Sequence, residues 1–85
     1  MPRRTPKIID RKLGRERAWG LYDDTPEPTI ELDPRMESRH RLHILLHEIL
    51  HHCEGILGAM DHEELDKAAR VASAVLWRDG WRRTR

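Results

Sequence analysis

His47 and His51 stand four residues apart with Glu48 directly after the first, inside a segment whose apolar residues recur at three- and four-residue steps. Those residues are Leu42, Leu45, Leu46, Ile49, Leu50, Cys53, Ile56 and Leu57. This period predicts a helix with one broad apolar stripe. It is expected to begin between Pro34 and Arg39, with Asp33 or Ser38 as N-cap, and to stop near Gly55 or Gly58. On a helix, residues four apart share a face, so the two imidazoles can grip one metal ion. Glu48 then sits where it can take a proton from a water on that metal. His40, His43, His47, His51 and Glu54 run along a flank of the stripe, the place for a half-buried metal.

Eighty-five residues make one domain with a small core, to which a bound metal can add stability. The formal charge of +1 argues for neither nucleic acid nor a membrane as partner. A single cysteine gives no intrachain disulfide and points to a reducing compartment. No apolar run is long enough for a signal peptide or a bilayer span, so a cytoplasmic protein is expected. Residues 1–6 and 81–85 read as loose basic tails, the second with one packed tryptophan.

Before the helix, Lys7 to Asp10 is a short strand candidate. Ala18 to Tyr22 is a stronger one, because Trp19, Leu21 and Tyr22 suit a sheet. Asp23 to Pro28 is rich in Asp and Pro and predicts a loop. Thr29-Ile30-Glu31-Leu32 alternates polar and apolar, as a half-buried strand does. The last two strands, joined by that loop, predict an antiparallel hairpin. After the helix, Asp61 and Glu64 resemble the capping box of a second helix, with Leu65, Ala68, Ala69, Val71, Ala72, Val75 and Leu76 apolar. It is expected to end near Asp79-Gly80. The fold class is therefore α+β: a small antiparallel sheet of two or three strands on an active-site helix and a second, C-terminal helix.

A catalytic zinc takes three protein ligands and leaves one position open. His47 and His51 supply two. A third histidine six residues on, as in metzincins, would fall at Leu57, so that pattern fails. Glu54 lies on the same helix and suits a supporting role. His62, Glu63 and Glu64 remain, at the start of the second helix. Glu64 shares a face with Ala68, Val71 and Val75, which are predicted to pack on the first helix, and is our choice. Its capping-box role needs no metal, and His62 and Glu63 stay as alternatives. His43 is placed to support the site. His52 points away from the ligand pair, Cys53 is a small core residue, and Tyr22 packs in the sheet.

The order Ala18-Trp19-Gly20-Leu21-Tyr22-Asp23, Thr29-Ile30-Glu31-Leu32-Asp33, Leu45-Leu46-His47-Glu48-Ile49-Leu50-His51 and Ala68-Ala69-Arg70-Val71-Ala72 resembles the small zincin-like metallopeptidases of the ImmA/IrrE type. The short versions found in bacteriophages and prophages are the nearest in kind. The resemblance covers roughly residues 15–78 and is specific only in the two-histidine motif. It implies a gluzincin core, with His47 and His51 as zinc ligands, Glu48 as catalytic base and a glutamate, here Glu64, from the following helix. The substrate would be an extended peptide or protein segment, paired to an edge strand near Thr29 to Leu32. Two other readings are a non-catalytic module held together by zinc and a metal-dependent endoribonuclease of the YbeY type. For the latter, Gly58-Ala59-Met60-Asp61-His62-Glu63 after the two-histidine helix carries the likeness.

Overall fold

The structure is a computed structural model, and it describes residues 5–84. Its elements, in chain order, are β1 (Lys7–Asp10), β2 (Gly20–Asp23), β3 (Thr29–Leu32), α1 (Ser38–Leu57) and α2 (His62–Arg78). Together they form an α+β fold, a three-stranded sheet with two helices. No helix among the described residues is long and apolar enough to cross a membrane.

The strand order is β1-β3-β2. The alternation of β3 explains its central place, because Ile30 and Leu32 are fully buried while Thr29 and Glu31 are only partly covered. β2 pairs with β3 antiparallel, Gly20 opposite Leu32 and Asp23 opposite Thr29, which is the expected hairpin. β1 adds to the other side of β3 in parallel, Lys7 beside Thr29, so the sheet is mixed. Thr29 to Leu32 is thus not an edge, as pairing to a substrate there would require. Both its hydrogen-bonding sides are taken, and β1 and β2 are the edges.

The chain between β1 and β2 passes from one edge of the sheet to the other and is pinned by Leu13 and Asp33. Leu13 is fully buried, and Asp33 is 1% exposed. The Asp33 carboxylate accepts from the Leu13 N–H at 2.9 Å and the Arg35 N–H at 3.0 Å. The Arg35 guanidinium adds contacts of 2.8 and 2.6 Å. Asp33 was expected as a possible N-cap of α1. It is spent on this crossing instead, and α1 begins after Glu37, whose side chain makes no capping bond.

Hydrogen bonds from Arg35, opposed by burial and aided by the two backbone N–H groups, hold the Asp33 carboxyl well below the usual carboxylate range. A carboxyl depressed in the folded state stabilises above its unfolded value of about 4 and loses that contribution as pH falls below it. Acid unfolding of the wild type should therefore steepen below about pH 4, and Asp33→Asn should flatten that limb while lowering the melting temperature at neutral pH. An Asp33→Asn profile parallel to wild type across the acid limb would show that this carboxylate is not the group responsible.

Ile30, Leu32 and Met36 form the core under the sheet, and Tyr22, Ile44, Leu45 and Ile49 pack against it. The face that α1 turns to the sheet thus runs through Ile44 and Glu48 to His52, and Glu48 and His52 are the helix's most buried residues. The predicted stripe overshoots at its end, where Ile56 and Leu57 are 70% and 71% exposed. Gly58, at φ +92°, stops the helix and donates its N–H to Glu54 O at 2.9 Å. Asp61 then caps α2 by accepting from the Glu64 N–H at 3.4 Å.

α2 is turned about its axis relative to expectation. Its buried residues are Leu65, Ala69 and Ser73, whereas Ala68, Val71 and Val75 face solvent. Val71 and Val75 each stand two residues, about 200° of helix, from Ser73, so the face that meets α1 is the one opposite the valines. The C-terminal segment also departs from a loose tail. Arg82 lies 3.4 Å over the ring of Trp77 and donates to Trp77 O, and Arg83 reaches Asp10 on β1 at 3.2 Å. Trp77 is the partly buried tryptophan, and Trp81 is 61% exposed. Residues 1–4 of the expected N-terminal tail and residue 85 lie outside the described residues.

Candidate metal centre

α1 carries His47 and His51 one turn apart, and their Nε2 atoms lie 3.2 Å from each other. Their other ring nitrogens are both engaged. His47 Nδ1 donates to Asp66 Oδ1 at 2.9 Å, and His51 Nδ1 donates to Glu54 Oε1 at 2.8 Å. A carboxylate on Nδ1 fixes the proton there and leaves a bare lone pair on Nε2. Two lone pairs aimed at each other over that distance repel unless a cation lies between them. Two nitrogens bound tetrahedrally to one zinc at 2.0–2.1 Å would stand about 3.3 Å apart. The donor set therefore fits zinc.

The third imidazole is that of His62, at the first residue of α2. Its ring centroid lies 5.0 Å from that of His47 and 5.7 Å from that of His51, stacked on the latter. Ligand nitrogens of His47, His51 and His62 fall within 4.8 Å of one another. Glu64 is not brought to this cluster. It is exposed, and its backbone N–H serves the Asp61 cap. Glu63 is exposed too. The reason is the rotation of α2. Starting the helix at His62 puts residues 62, 66, 69 and 73 toward α1 and turns Glu64 outward.

Asp66, not singled out in the sequence, carries much of the arrangement. It follows His62 by four residues and so shares its face. That i, i+4 spacing was the available signal. Asp66 Oδ1 also accepts from His43 Nε2 at 3.0 Å, and Oδ2 from Arg70 Nε at 2.8 Å. The His47 hydrogen bond leads in holding this carboxyl well below its usual range, with Arg70 and His43 adding to it against the effect of burial. His43, His47 and Asp66 form a second group of clustered donors, sharing His47 with the first. Glu54 has the supporting position foreseen for it. It holds His51, and its Oε2 accepts from the Met60 N–H at 2.8 Å, tying the interhelical turn to the site.

Glu48 is 8% exposed and lines a cleft of about 380 Å³ together with Gly20, Leu21, Tyr22, His47, His51 and His62. Burial pushes its carboxyl above the usual carboxylate range, and the three nearby histidines offset only part of that rise. His52 is not among the clustered donors and is buried on the sheet side, with its Nδ1 2.7 Å from the Tyr22 hydroxyl.

Gly20 permits this packing. A Cβ there would stand 2.6 Å from Ile44 Cγ2 and 3.1 Å from Glu48 Oε2. Gly20→Ala should thus push α1 off β2 and cost about 1–3 kcal/mol, the usual range for overpacking. That exceeds the 0.4–1 kcal/mol an alanine gains by restricting the unfolded chain. Thermal unfolding reads the result, and a variant as stable as wild type would refute this close contact.

Compared with protein-family models, curated proteins and solved structures, the chain matches none.

Proposed function

We propose that this protein is a zinc-dependent hydrolase of peptide bonds, with His47, His51 and His62 holding the ion and Glu48 acting as general base. The observation that carries the reading is the pair of carboxylate-braced imidazoles with converging Nε2 atoms, closed by His62, beside a buried glutamate in one cleft. Zinc in such a site supplies Lewis acidity, activating water at neutral pH and polarising a carbonyl. Glu48 accepts the proton of the attacking water and returns it to the leaving amine, so that the C–N bond breaks with no net proton consumed. Asp66 and Glu54 keep His47 and His51 in the tautomer that presents Nε2. β2, an edge strand among the described residues whose Gly20, Leu21 and Tyr22 line the cleft, is the strand beside which an extended peptide would lie. The lone Cys53 is a free thiol, in keeping with a cytoplasmic setting.

The resemblance to ImmA/IrrE-type peptidases supports peptide as the substrate, although that family's third ligand is a glutamate. The presence of His62 in the cluster favours a second reading, the YbeY-like RNA hydrolase. Against it, those enzymes place Gly after the first histidine, where this chain has Glu48, and their third histidine follows sooner. Zinc-loaded wild type and Glu48→Gln assayed on unstructured polypeptide and on single-stranded RNA decide the matter. Polypeptide cleavage that requires Glu48 is expected. Cleavage of RNA alone would transfer the site to the second reading. Cleavage of neither, with unfolding on chelation, would leave zinc a structural role.

A further inference from the structure

Helix α2 carries two apolar stripes, and the fold uses one of them. Leu65, Ala69 and Ser73 are buried against the body of the protein. Val71 and Val75 are 65% and 59% exposed, and Ala68 beside them is exposed as well. Val71 is two residues from both Ala69 and Ser73, which on a helix is about 200°, so it stands on the opposite side. In a chain of which 36% is charged, this outermost face is where charge is expected. One charge does lie on it, the exposed Lys67 one turn before Val71, and two others mark the ends of the stripe. Glu64 lies seven residues before Val71 and Arg78 seven after it. Seven residues are two turns, so all three share one face, with each charge about 10 Å from Val71. Among the described residues neither side chain takes part in an ion pair.

A stripe with acid at one end, base at the other and valine midway is complementary to its own antiparallel copy. We infer that a second copy of this chain covers it, the two α2 helices crossing antiparallel on a two-fold axis through Val71. Val71 then meets Val71, and Glu64 of each copy meets Arg78 of the other. The contact is isologous, as closed dimers require, and antiparallel helix dipoles favour it. His62 and Asp66 sit on the far side of α2, so the metal cleft stays open and the pairing does not depend on what the cleft does. One helix per copy is a small interface, so association is weak and concentration-dependent. The charges set register more than affinity.

Sedimentation of the full chain from low micromolar to near-millimolar concentration tests this, with circular dichroism confirming that each variant folds. Wild type should self-associate to a dimer, and Val71→Asp should raise the dissociation constant at least about tenfold. Glu64→Arg and Arg78→Glu should each do the same alone, because each places like charges together twice. Glu64→Arg mixed with Arg78→Glu should pair as a heterodimer, and the double variant should recover wild-type association. A wild type monomeric throughout would overturn the proposal. So would a dimer indifferent to Val71→Asp, or single variants that fail to pair when mixed.

Discussion

His62→Ala is expected to weaken zinc binding by far more than 100-fold, while Glu64→Ala leaves it unchanged. The ring of His62 stacks on His51 and approaches His47, so its removal deletes one of three metal donors. Glu64 is exposed and contributes its backbone N–H to the Asp61 cap, an interaction that Glu64→Ala keeps. Asp66→Ala grades the series. It leaves all three nitrogens but frees His47 to rotate and change tautomer, and losses of that kind are typically 10- to 100-fold. Competition against a chromogenic chelator gives the three affinities. A Glu64→Ala loss as large as that of His62→Ala would bring the glutamate back as ligand and mean that α2 turns over, by about two residues of helix, when metal binds.

Glu48→Gln should bind zinc as wild type does and keep the fold, while hydrolysis falls by about 10²- to 10⁴-fold, the usual worth of a positioned general base. The amide matches the carboxylate in size, so the packing against Gly20 and Ile44 survives. It cannot accept the proton of water. Because Glu48 lies outside the three-histidine cluster, its loss removes no donor, which separates the base from the ligands in a way that no histidine variant can. Zinc-loaded Glu48→Gln turning over polypeptide at the wild-type rate would sink the mechanism, whereas loss of metal from it would mean that Glu48 is itself a ligand.

The sequence by itself determined the local elements and half of the candidate site. The alternation of Thr29 to Leu32 is a local property, and β3 forms there. The four-residue spacing of His47 and His51 is enough to bring their Nε2 atoms together once α1 is helical. Gly58 and Asp61 bound the two helices through conformations and hydrogen bonds that reach no further than a few residues. Glu54 was legible as a support because it is one turn from His51.

Only the tertiary structure decided which face of α2 meets α1. The helix offers Leu65, Ala69, Ala72 and Leu76 on one side and Ala68, Val71 and Val75 on another, and periodicity cannot rank two apolar stripes on one helix. Packing decides: the leucine stripe fills the interior, with Leu65 fully buried, and Asp66 beside it gains His43, His47 and Arg70 as partners. That orientation places His62 at the metal cluster, turns Glu64, two residues or about 200° away, to the outside and leaves the valine stripe exposed. The parallel pairing of β1, the spending of Asp33 on Leu13 and Arg35, and the need for glycine at position 20 arise in the same way. Each depends on segments distant in the chain meeting at one place, and no local pattern records where they meet.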